Sequence, residues 1–145
     1  MTIHRLFSKD PNDEEENVTQ NIYVFRFILF CIIVYSFEML LNSVDIFIVD
    51  KTIFTRGYVT GCLFAAVYVL ILLHLGLEHP LTKYVSITAV SLIIMAASVS
   101  LTYHMIIIIM MPIIIAGMYT SKQLSIYTFV LTVLSIIIST YAGYY

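Results

Sequence analysis

Charge is what this 145-residue chain has least of: seven Lys or Arg, nine Asp or Glu, and none at all over the thirty-eight residues from Tyr84 through Ser121. No water-soluble domain of this length could bury so long an uncharged run, so a soluble fold is excluded. Basic residues are too few for a nucleic-acid surface, and no nucleic-acid partner is expected. The only two cysteines, Cys31 and Cys62, stand inside apolar stretches where they act as small apolar groups, so no disulfide framework is implied. Tryptophan is missing, which leaves Tyr23, Tyr58, Tyr84, Tyr103, Tyr119 and Tyr127 to anchor span ends at the interface. The first twenty residues lack an apolar core and carry Asp13-Glu-Glu-Glu, which excludes a cleavable signal peptide. The sequon at Asn17 is read as coincidence in a cytoplasmic tail. There is no Gly-rich phosphate loop and no serine or cysteine catalytic signature, so neither enzymatic activity nor a cofactor is expected of these residues.

What is present is hydrophobic surface, 61% of the residues, which defines an all-α polytopic transmembrane helical bundle. A crossing takes roughly 20 apolar residues for about 30 Å of hydrocarbon. Five spans follow, at about 23–44, 57–77, 84–102, 105–120 and 126–145, the third and fourth turning back at the polar group Ser100, Thr102, Tyr103, His104. Residues 1–21 read as a polar acidic cytoplasmic tail and 22–145 as the transmembrane domain. The charged, aromatic segment from Asp45 to Arg56 reads as lying along the membrane surface. Pro112 stands at the centre of span four and predicts a kink there, since proline lacks an amide hydrogen and clashes with the preceding turn. Five crossings put Arg5, Lys9, Arg26, Lys83 and Lys122 on one side and Lys51 and Arg56 on the other, so the N-terminus is read as cytoplasmic. A single long tilted helix over 84–121 would instead split the positive charges four to three.

Small residues spaced by four mark helix contacts in lipid, and two such rows occur: Gly57, Gly61, Ala65 and Ser135, Ser139, Gly143. Thr88, Ser91, Ser98 and Thr102 share a face of span three, and Thr128, Thr132 and Ser135 share one of span five. Helix–helix hydrogen bonding and a solute path both fit these hydroxyls. In span one, Cys31, Tyr35, Glu38, Asn42 and Asp45 recur at helical spacing, and a carboxylate at span depth costs several kcal/mol unless paired, protonated or hydrated. Glu38, Asn42, Asp45 and His104 are therefore the candidate ligand- or proton-sensing group near the outer surface. The alternative is a structural hydrogen-bonded pair, or a protonated Glu38 bonded to a backbone carbonyl. His74, Glu78 and His79 resemble a metal sequence only superficially, because residues five apart point about 140° away from each other on a helix. No metal site is assigned. A membrane enzyme built on His74, Glu78 and His104 is disfavoured, since His74 and His104 fall near opposite surfaces.

The stretch Glu16-Asn-Val-Thr-Gln-Asn-Ile-Tyr-Val-Phe-Arg26 leads into a span holding Glu38 and Asn42. Together with Tyr103-His-Met, Met111-Pro-Ile-Ile-Ile-Ala-Gly-Met-Tyr119 and Lys122-Gln-Leu-Ser-Ile-Tyr-Thr, it resembles the multi-span input regions that precede catalytic domains in bacterial, particularly clostridial, diguanylate cyclases and related sensor proteins. The resemblance covers most of the chain. It implies a signal-input domain of the bacterial cytoplasmic membrane that regulates a cytoplasmic output domain. No Gly-Gly-Asp-Glu-Phe cyclase motif and no kinase motif occurs, so these residues would be the input module alone. The alternative is a small transporter or transporter subunit moving a small solute. The partners expected are the lipid bilayer, an unidentified small ligand and a second copy of the chain in a homodimer.

Overall fold

The structure is a computed structural model that describes residues 16–46, 49–101, 106–119 and 121–144, and among them every regular element is a helix. These are α1 (Glu16–Ser43), α2 (Lys51–Leu75), α3 (Thr82–Leu101), α4 (Ile106–Ile109), α5 (Met111–Gly117) and α6 (Lys122–Tyr144). Helices α1, α2, α3 and α6 are each long and apolar enough to cross a bilayer. The outward faces of α1, α2 and α6 are covered in large apolar side chains, among them Phe30, Ile33 and Phe37 of α1, Leu63 and Leu70 of α2, and Phe129 and Ile137 of α6. Such a surface is stable in hydrocarbon and not in water.

One buried side chain shows how the passes are arranged. Asn21, near the start of α1, donates from Nδ2 to the Leu77 carbonyl just beyond α2 at 2.9 Å, and accepts from the Tyr119 hydroxyl just beyond α5 at 2.8 Å. The start of α1, the end of α2 and the end of α5 therefore meet at one end of the bundle, here called the leading end. Helix α3 begins there after a short turn, and α6 begins three residues after Tyr119. So α1, α3 and α6 run parallel, with α2 and the α4–α5 segment antiparallel to them. A hydrogen bond of 2.7 Å between the Thr88 and Tyr127 hydroxyls holds α3 and α6 in that parallel register. Among the described residues the bundle has four unbroken spanning helices and a fifth, broken pass made of α4 and α5, with Arg26, Lys83 and Lys122 toward the leading end and Lys51 and Arg56 toward the far end.

Helix α3 touches every other helix, and 56% of its apolar window is buried against at most 28% for the other spans, so it is the central strut. Its small side chains Ser86, Ala89, Ser91, Ala96 and Ser98 are all buried, letting neighbouring backbones come close where hydrophobic burial cannot drive association. Gly61 of α2 works the same way: a Cβ there would stand 3.5 Å from the Tyr35 ring and 4.0 Å from Ala96 Cβ, so three helices converge on it. Of the other small residues, Gly57, Ala65 and Ser139 are half-buried, Ser135 is buried, and the packing of Gly143 lies outside the described residues.

The structure redraws several boundaries. Helix α1 starts at Glu16, inside the stretch read as a polar tail, because Val18, Ile22 and Phe25 at helical spacing already reach the core. The segment read as lying on the membrane surface is, from Lys51 on, the start of α2. Asp50 caps that helix, its Oδ1 accepting from the Thr52 and Ile53 amides at 2.9 and 3.0 Å, and Phe54 is completely buried. Pro112 does more than kink span four. The helix ends at Ile109, and Pro112 sits in the first turn of α5, where its missing amide hydrogen leaves no intrahelical bond unmade. Helix α2 stops at Leu75 because Gly76 adopts φ 83°, a left-handed conformation that side-chain-bearing residues rarely hold. Glu78 therefore lies beyond the helix and does not share a face with His74.

Candidate functional site

The most ordered polar constellation lies at the leading end. Asn21, Tyr68, Thr82, Ser86 and Tyr119 are each nearly fully buried. Asn21 links α1 to the α2–α3 turn and to Tyr119, and Gln20 donates from Nε2 to the Met118 carbonyl beside it. The Tyr68 and Ser86 hydroxyls meet at 3.1 Å, and Thr82 Oγ1 donates to the Gly76 carbonyl at 2.7 Å, tying the turn shut. Every one of these side chains is uncharged, so the cluster holds no ready proton donor or acceptor at neutral pH. Its chemistry is positional: it ties four passes, α1, α2, α3 and the end of α5, together at one end of the bundle. Sequence reasoning missed this cluster, placing Asn21 in the polar tail and Tyr119 among the interface anchors. The signal was there, since Asn21, Phe25, Ile28, Ile32 and Tyr35 follow one another along a single helical stripe, and a polar residue heading an apolar stripe faces the core.

At the far end the predicted sensing residues do different jobs. Glu38 is half-buried in the last third of α1. One turn closer to the leading end, Tyr35 packs edge-on against Phe54 and Tyr58 of α2, with ring centroids 5.3 and 5.4 Å apart, and the Tyr58 hydroxyl meets Ser36 Oγ at 2.9 Å. One turn further out, Asn42 is buried and its Oδ1 accepts from the Val49 amide at 3.4 Å, holding the α1–α2 turn. Asp45 adopts φ 61° in that turn, and its exposed carboxylate pairs with Lys51 Nζ at 2.8 Å. The structure thus brings Asn42 and Asp45 into one turn and leaves Glu38 between that turn and an aromatic cluster. His104 lies outside the described residues. Glu38 thus stands on α1 between the turn that Asn42 holds and the Tyr35–Phe54–Tyr58 ring cluster.

The hydroxyl faces of α3 and α6 are buried as their spacing predicted: Ser91, Ser98, Thr128, Thr132 and Ser135 are interior and Thr88 is half-buried, while Thr102 lies outside the described residues. His74, Glu78 and His79 are exposed, with His79 Nδ1 accepting from the Leu81 amide at 3.2 Å. Among the described residues no three His, Cys, Asp or Glu side chains are placed to hold a metal ion. Cys31 and Cys62 are free and half-buried.

No family model matches the chain, and neither a curated protein nor a solved structure is significantly similar to it. The fold and the residues described above define a helical membrane protein, and its function rests on their chemistry.

Proposed function

We propose that this chain is an integral-membrane signal-input domain, with its N-terminus in the cytoplasm of a bacterium, regulating a cytoplasmic output domain of the diguanylate cyclase kind. The observation that carries the reading is α1. It is one uninterrupted helix of 28 residues, or about 42 Å at 1.5 Å per residue, with Glu38 and Asn42 near one end and Gln20 and Asn21 at the other. A shift imposed on α1 at the far surface is transmitted along a rigid rod to the residues that hold the leading end together. The excess of Arg and Lys toward that end supports its cytoplasmic placement, and Glu38, Asn42, Asp45 and His104 are the proposed sensing group. A ligand or proton moves such an equilibrium only by its differential affinity for the two packings.

The test fuses the chain to a diguanylate cyclase reporter and steps the external pH from about 7.5 to about 5.5, the window in which His changes charge. The expected result is a response that Glu38→Gln or His104→Ala reduces and Asn21→Leu uncouples. A response unchanged in the Glu38→Gln, His104→Ala double variant refutes the sensing group. A second reading, a small transporter, is favoured by one feature, the α4–α5 break beside the buried hydroxyls of α3 and α6, because interrupted helices in transporters sit at solute sites. Solute uptake into proteoliposomes separates the two.

A further inference from the structure

Serine and threonine hydroxyls inside helices commonly fold back onto the carbonyl four residues earlier, and here several do. Thr88, Ser98, Thr128 and Ser135 make that bond at 2.8, 2.8, 2.7 and 2.9 Å. Ser91 and Thr132 do not. They are 2% and 1% exposed, and neither hydroxyl has a hydrogen-bond partner among the described residues. A dry orphan hydroxyl inside a bilayer is costly, and a simple side-chain rotation toward the preceding turn is the usual escape. Neither side chain makes that bond.

Thr88 and Tyr127 tie the parallel helices together through their hydroxyls, and Ser91 and Thr132 stand three and five residues further on along α3 and α6. Ser91 is two turns on from Tyr84, whose ring packs edge-on against Tyr127 at 5.5 Å, so it lies on the side of α3 that meets α6. Thr132 belongs to the one buried stripe of α6, Leu124, Thr128, Thr132 and Ser135, which faces α3 and the α4–α5 segment. Ser91 is the tenth of twenty residues in α3 and Thr132 the eleventh of twenty-three in α6, which is mid-bilayer depth for both.

We propose that Ser91 and Thr132 hold a bound water molecule in the middle of the bundle, where α3 and α6 meet. Both hydroxyls are buried near the middle of helices that pack together, and one water can bond two hydroxyls at once. A buried water makes about three hydrogen bonds, and the second lone pairs of the Ile87 and Thr128 carbonyls, which these two hydroxyls leave unused, supply the rest. The guest is neutral: α3, α5 and α6 carry no acidic residue to balance a cation.

The experiment measures stability of the full chain in detergent for Ser91→Ala, Thr132→Val and the double variant, with Ser98→Ala as a self-bonded control, and hydroxyl-radical labelling of Met95, one turn from Ser91. A bound water predicts that each single change lowers the folding equilibrium constant by about fivefold, the scale of one buried hydrogen bond. The double change should cost less than the two combined, because both remove the same water, and Met95 should label in the native chain and lose labelling in the variants. Dry hydroxyls predict the opposite sign, with both substitutions neutral or stabilising and Met95 unlabelled, and that outcome overturns the proposal. Should a variant fail to fold, labelling of Met95 in the native chain decides. The readouts are stability and labelling, so the water site stands or falls separately from any role of Glu38 in signalling.

Discussion

Removing a single oxygen from Tyr119 tests the arrangement of the whole bundle. Tyr119→Phe keeps the ring and its packing, so no cavity contributes, and it deletes only the donor that Asn21 Oδ1 accepts at 2.8 Å. That bond joins residues 98 positions apart and is nearly fully buried at both ends, so its loss leaves the Asn21 acceptor without this donor in an apolar interior. An orphaned buried acceptor costs about 1–3 kcal/mol in water-soluble proteins, while hydrogen bonds measured between membrane helices average about 0.6 and reach about 1.7 kcal/mol. The overlap of the two ranges, about 1–1.7 kcal/mol, is the expected loss, a five- to fifteen-fold drop in the folding equilibrium constant at about 1.4 kcal/mol per tenfold. Asn21→Ala should cost more, because it also frees the Leu77 carbonyl. The assay is reversible unfolding by SDS in mixed micelles, read by far-ultraviolet circular dichroism, with the two variants and their combination forming a double-mutant cycle. A coupling energy indistinguishable from zero would mean that α5 does not return to the end where α1 begins, and the five-pass arrangement would fail with it.

Three more outcomes follow from local geometry. At Gly61 the nearest ring atom would stand at ordinary contact distance from an added methyl, so Gly61→Ala should change stability by less than about 0.5 kcal/mol, whereas Gly61→Leu must displace Tyr35 and should cost about 1–3 kcal/mol in the same unfolding assay. Asp50→Ala removes the cap of α2 and should cost about 1 kcal/mol, while Asp45→Asn, which breaks only an exposed ion pair, should stay within about 0.5 kcal/mol and lose what effect it has at high salt. In a cysteine-free background, single cysteines at Glu78 and Ser121 should react with an impermeant maleimide from one side of the membrane and a cysteine at Thr52 from the other. All three reacting from the same side would contradict the fold.

Composition and the length of its uncharged runs determined that this is a helical membrane protein, because no other solvent accommodates that much apolar surface and in lipid the backbone must satisfy its own hydrogen bonds. The same runs placed α2, α3 and α6 to within a turn or so at most ends, and the row through Gly61 pointed to a real close approach. Helix ends were less legible, since they depend on single side chains acting locally: Asp50 started α2 six residues earlier than hydropathy suggests, and Pro112 divided a pass that its apolar run makes look continuous. Helical spacing put Glu38, Asn42 and Asp45 on one face of α1, yet the left-handed turn at Asp45 swings that carboxylate out to Lys51 and leaves Asn42 to hold the turn. Only the tertiary structure could join Asn21 to Tyr119, or show that Ser98 satisfies its own hydroxyl while Ser91 does not. Solvent preference is additive along a chain and so can be read from it residue by residue, whereas a hydrogen bond between distant passes exists only once their depth and rotation have been set by packing.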